Sequence, residues 1–172
     1  MAQTAVNLVP ARAFEGMLAD GAPMRDIISR LAKAPSTPFI PFGKAVSQNT
    51  ADETDQVRLP ASATDVTLRL MGIAIAESSI EHDDVVAWGH FSNGMSIPVL
   101  RVGRIWVISE VGHDIGDGVF VRHTTPGGSP PLASLGSFRK DADTANASQV
   151  SNAQWLTAGA AGGLALLGIN LP

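Results

Sequence analysis

Hydrophobic and polar positions along this chain alternate over short distances rather than recurring at helical spacing over long ones. From Gly43 onward, brief apolar runs stand between turn signals. Lys44–Ser47 and Val57–Leu59 read as short strands separated by the polar Gln48–Asp55 loop. Val66–Ala76 reads as a longer, β-branched strand in which Gly72 marks a bulge. Glu77–Asp84 is a charged loop. Val85–Phe91 and Met95–Arg101 flank Ser92-Asn93-Gly94, an Asn-Gly hairpin signal. Val102-Gly103 then predicts a second hairpin, joining Ile97–Arg101 to Arg104–Glu110. Beyond the Gly/Asp-rich Gly112–Gly118 come strands at Val119–His123 and Gly136–Arg139, separated by the Gly/Pro/Ser-rich surface loop Thr124–Leu135. A polar turn, Asp141–Ser148, follows. Ala153–Thr157 and Leu164–Asn170 close the chain across Ala158–Gly163. Strand signals at this density, with no long helix between them, predict a mainly β chain built as a small antiparallel barrel or sandwich.

The first 42 residues break that rhythm. Residues 1–22 show no sustained period and read as an extended arm. Met24, Ile27, Ile28 and Leu31 stand at i, i+3, i+4 and i+7 behind Pro23 and ahead of Pro35, which predicts one short helix at about 24–33. The alternative is a strand through Asp26–Leu31 lying on a neighbour. Pro35, Pro38 and Pro41 force extended backbone through Ala34–Phe42. The chain therefore divides into an N-terminal arm, 1–42, and a β domain, 43–172. No internal repeat is present.

Composition narrows the functional classes. The 172 residues include no cysteine, which removes disulfides, thiolate metal sites and a cysteine nucleophile. Net charge is −4, and the nine Arg and three Lys are scattered, so phosphate-neutralising nucleic-acid binding is not expected. No apolar stretch approaches the roughly 20 residues of a membrane helix. The N-terminus lacks the basic start and apolar run of a secretion signal, so synthesis in a cytoplasm is expected. Only 16% of residues are charged, against about 25% in an ordinary soluble domain. One explanation is a surface much of which is covered by other chains.

Candidate chemistry is sparse. His82, His90, His113 and His123 form no metal-binding spacing, and His113-Asp114 with Asp117 reads as a turn. Asp141, Asp143 and Asn146 give D-x-D-x-x-N but lack the terminal bidentate acid of a calcium loop. No nucleophile elbow, phosphate loop or dinucleotide fingerprint occurs. Trp88, Trp106 and Trp155 sit in apolar runs and read as core. Neither catalytic residue, metal nor cofactor is expected. A carbohydrate-binding β domain, using Trp88, Trp106 and the loop His and Asp residues, is the alternative function. A small metal-dependent hydrolase centred on His113 and Asp114 ranks below it.

An ordered set of short motifs adds a resemblance. Gly16-Met17-Leu18-Ala19-Asp20, Ile40-Pro41-Phe42-Gly43-Lys44-Ala45-Val46 and Met71-Gly72-Ile73-Ala74 come first. Gly103-Arg104-Ile105-Trp106-Val107, then Gly116-Asp117-Gly118-Val119-Phe120-Val121-Arg122, then Gly136-Ser137-Phe138-Arg139-Lys140-Asp141-Ala142-Asp143 follow in order. In this series the chain resembles the structural cement, or capsid decoration, proteins of tailed bacteriophages. The resemblance implies a non-enzymatic protein on the outside of the capsid, made in the bacterial cytoplasm, that cements neighbouring major capsid subunits. Its implied partners are the major capsid protein and itself, as a homotrimer rather than a dimer, with no nucleic acid and no membrane. The contact candidates it implies are Phe14, Met17, Leu18, Asp20, Ile27, Ile28, Arg30, Phe39 and Phe42.

Overall fold

A computed structural model describes residues 13–19, 25–33, 39–50, 53, 55–77, 89–126 and 132–172. The strands are β1 (Asp26–Ala32), β2 (Phe39–Pro41), β3 (Ala45–Gln48), β4 (Gln56–Arg58), β5 (Leu70–Ala74), β6 (His90–Ser92) and β7 (Ser96–Ile108). They continue as β8 (Phe120–Arg122), β9 (Phe138–Arg139), β10 (Ala147–Gln149), β11 (Ala153–Trp155) and β12 (Leu164–Asn170), with α1 at Ala63–Thr67. The main sheet runs β1-β4-β3-β5-β7-β12-β11, and β1 also pairs with β7. That extra pairing closes β1, β4, β3, β5 and β7 into a five-stranded barrel. Beside it lie a sheet of order β10-β8-β9 and the pair β2-β6.

Strand alternation divides the interior into two cores, because successive side chains leave opposite faces of a strand. Val46, Ala74 and Val99 point into the barrel with Val57, Ile97, Phe42 and Phe91. Their chain neighbours Ala45, Ile73 and Leu100 point the other way, into a second core with Ile105, Val121, Phe138, Trp155 and Leu167. The two cores stand back to back across β3, β5 and β7.

β7 is the spine. Its first half pairs with β1 on one side and β5 on the other, and its second half with β12. The hairpin predicted at Val102-Gly103 does not form: Gly103 has φ +145° and bends one continuous strand. Gly72 does meet the expected irregularity, since the β3–β5 register shifts between Val46 and Ser47 opposite it. A Cβ at Gly72 would stand 2.2 Å from the Leu100 carbonyl oxygen. The Ser92-Asn93-Gly94 turn closes with Met95 N donating to Ser92 O. It joins β6 of the small sheet to β7 instead of a paired hairpin.

The predicted helix at 24–33 is instead β1, so the alternative strand reading fits these residues, with the neighbour being β7 of the same chain. The helix lies where a strand was expected to begin. Ser62 accepts from the Asp65 amide as N-cap, and the buried Asp65 carboxylate accepts from the Ala61 amide at 2.9 Å. Trp155 is buried and Trp106 half-buried, whereas Trp88 lies outside the described residues. So do Pro35, Pro38, most of the 77–84 loop and 127–131.

Candidate interaction surface

The first described residues and β1 line one side of β7. Gly16 N donates to Trp106 O at 2.8 Å, Trp106 N to Met17 O at 2.9 Å, and Ala19 N to Arg104 O at 3.0 Å. β1 continues that side, with Ile28 opposite Val99 and Leu31 opposite Ser96. Ile28 points inward and packs against the barrel core. On the opposite face Arg25, Ile27, Ser29, Leu31 and Lys33 are all exposed. The second core, which covers this face of β7 further along, does not reach β1.

Four large apolar side chains near the N-terminus are exposed to solvent over a large fraction of their surface: Phe14 (45% exposed), Ile27 (44%), Leu31 (43%) and Phe39 (38%). Ile27 and Leu31 share one face of one strand. Phe39 lies on β2, its ring 4.3 Å from that of His90. Of the other contact candidates, Met17 and Leu18 are half-buried, and Leu18 packs against the second core. Arg30 is half-buried and donates from Nη1 to the Ser29 carbonyl at 2.8 Å. Phe42 is a barrel core residue, 4.9 Å from Phe91 between ring centres, and Ile28 is spoken for in the same core. Neither side chain is offered outward. Asp20 lies outside the described residues. Leu31 and the flanking Arg25 and Lys33 were missed in the sequence; their signal was the period-two series from Arg25 to Lys33, hidden by the helical spacing of their neighbours.

The other polar clusters are knitted into the fold. Arg122 donates from Nε to Glu110 at 2.8 Å, from Nη1 to the Thr124 carbonyl at 3.0 Å, and from Nη2 to Glu110 and Asp143. Arg139 bonds Glu110 and Asp141. The Glu110 hydrogen bond holds the Arg122 guanidinium above its ordinary pKa against the opposing effect of burial. The Arg122 hydrogen bond holds the Asp143 carboxyl below its own. A cleft of about 480 Å³ opens beside this cluster, between Val111, Pro126 and Leu132. Every nitrogen of both guanidinium groups already donates to a protein oxygen.

His113 is buried, with its ring 3.8 Å from Trp155 and Nε2 3.1 Å from the Thr157 carbonyl. Asp114 and Asp117 close a turn in which the Asp114 amide donates to the Asp117 carboxylate at 2.9 Å. His123 is also buried, and burial lowers its pKa. Among the described residues, no three His, Asp or Glu side chains converge as a metal site would require.

The family model described as structural cement protein (E217 gp24/Pam3 gp6) matches residues 2–170. The chain belongs to the phage structural cement protein family. Its barrel and second core are also similar to a solved chain from the capsid of the Myoviridae phage XM1. That match has a TM-score of 0.69 and 16% identity, and covers 98% of this cement protein and 97% of the other chain. The head fibre gp8.5 N base of bacteriophage phi29 shows a partial likeness, with TM-score 0.42 and 16% identity over 86% of this chain and 95% of that one. Among curated proteins none matches. Family membership gives this cement protein a structural role in the virion, at the capsid.

Proposed function

We propose that this cement protein is a non-enzymatic decoration protein that binds the capsid exterior and ties neighbouring major capsid subunits together. It is made in the bacterial cytoplasm and joins the shell as a homotrimer. Residues 1–42 supply most of the gripping surface, with β1 doing so from within the barrel wall, and 43–172 supply the rest of the framework. The observation carrying this reading is the exposed apolar set of Ile27, Leu31 and Phe39 on and beside the barrel wall. An interface is held by buried apolar area at its centre, and outward apolar side chains on a rigid strand bind without first having to be ordered.

The test uses capsids stripped of this protein and purified protein added back, with binding read by co-sedimentation. The double variant Ile27→Asp/Leu31→Asp alters only exposed positions. Loss of co-sedimentation with an unchanged circular dichroism spectrum is expected. Undiminished binding would remove β1 from the contact surface. Sedimentation equilibrium of the free protein should return the mass of three chains; a single-chain mass would rule out the trimer.

A further inference from the structure

The positive charges of this protein are not evenly matched. Lys44 pairs with Glu15, Arg58 and Arg69 with Asp65, and Arg101 with Asp26. Arg122 and Arg139 share Glu110 and Asp143, and Lys140 reaches Asp117. The described cations left without a carboxylate are Arg25, Arg30, Lys33 and Arg104, and all four lie on or next to β1 and β7. Arg25 Nη2 donates to the Ala19 carbonyl at 3.0 Å, and the Ala19 amide donates to the Arg104 carbonyl, so Arg25 and Arg104 flank the same stretch of β7. Of the neighbouring acids, Asp26 is held by Arg101, and Asp55 stands beside Leu31, whose amide its carbonyl accepts.

The outer face of β1 and the residue just beyond each of its ends thus read Arg25, Ile27, Ser29, Leu31, Lys33: a cation flanking each end and two apolar side chains between. At strand spacing its ends are roughly 26 Å apart. In a protein of net charge −4 this is a positive strip on an acidic background.

We propose that this strip docks a protein surface of the capsid shell that carries carboxylates around an apolar centre, so that opposite charges frame the apolar contact. The inference rests on the decoration role proposed above and specifies the chemistry of the partner. Framing charges of this kind set register and speed encounter, while the apolar pair supplies area. Exposed charge pairs are screened by salt, whereas apolar burial is not weakened by it.

Binding to stripped capsids is measured from about 0.05 M to about 0.5 M NaCl, a range over which the screening length falls severalfold. Wild-type affinity should fall about tenfold across it. Arg25→Glu/Lys33→Glu should bind about tenfold more weakly at low salt and lose most of the salt dependence. Ile27→Ser/Leu31→Ser should weaken binding and keep the dependence. Lys140→Glu, away from the strip, should change neither. If the wild type binds and the charge-reversed variant binds equally well with the same salt dependence, the strip's chemistry is overturned while the decoration role stands. If the wild type binds no capsid, both fall. Retention of the wild type on duplex DNA, lost in Arg25→Glu/Lys33→Glu, would overturn a carboxylate partner in favour of phosphate.

Discussion

Arg122 is 1% exposed, yet every nitrogen of its guanidinium donates a hydrogen bond, to Glu110 past the end of β7, to Thr124 past β8 and to Asp143. A buried charge is tolerable only while paired, and removing one partner strands the other. Arg122→Met should therefore destabilise by about 3 kcal/mol, measured by urea denaturation. Arg139 keeps Glu110 partly neutralised, which holds the loss to that range. The same network makes stability depend on pH. Asp143 is depressed below its ordinary 3.8, so the native state gains from its ionisation above that value and loses the gain as pH falls further. His123 is depressed below 6.5, chiefly by burial. The unfolded chain therefore takes up its proton first as pH falls through 6.5, and stability drops there too. Melting temperature against pH should show both declines. Asp143→Asn should reduce the lower one, and His123→Gln should flatten the upper one. At Gly72 the reason for the residue is space as well as conformation. Its φ of +145° and the 2.2 Å approach to Leu100 O leave no room for a methyl group. Gly72→Ala should cost about 3 kcal/mol by the same denaturation measurement.

Among the elements, β1 and α1 show how far the sequence could be read. The β pattern was legible over most of the chain because turn residues and alternation coincide there: Leu164–Asn170 is β12 with its expected bounds. β1 was misread because it is apolar on both faces. Ile28 fills the barrel while Ile27 and Leu31 point out, and together they imitate a helical stripe. With apolar side chains on the exposed face as well, a pattern rule that assumes one wet face fails there. α1 was missed although Ser62-Ala63-Thr64-Asp65 carries the Ser-x-x-acid signature of a helix start. The adjoining Val66–Ala76 run drew the strand assignment over it. Ser62→Ala should cost about 1 kcal/mol and leave the sheet unchanged by far-ultraviolet circular dichroism. The Arg122 cluster was not legible at all. Glu110, Arg122 and Asp143 lie on three different segments, and nothing local announces that they meet.

For the molecule as a whole, the two cores share their walls. β3, β5 and β7 present Val46, Ala74 and Val99 to one core and Ala45, Ile73 and Leu100 to the other. Neither core can lose its packing without exposing the back of the other's strands. Calorimetry should show a single transition with equal calorimetric and van't Hoff enthalpies; two resolved transitions would contradict the shared wall. The sparse charge of the chain also changes meaning at this scale. Among the described residues, seven cations and the acids they touch are consumed holding segments together, which leaves β1 and the adjoining part of β7 with the cations that carry no carboxylate.

β1 is hydrogen-bonded side by side along β7 from Asp26 to Leu31, and β7 runs on past Gly103 to pair with β12. In the docking proposed above, a pull along β1 from a swelling shell would load those bonds in shear. They must stretch together, where a pull across the strand would open them one at a time. The strain would then pass along a single unbroken backbone into the second core, so the proposed grip and the part that resists would be two ends of one cable.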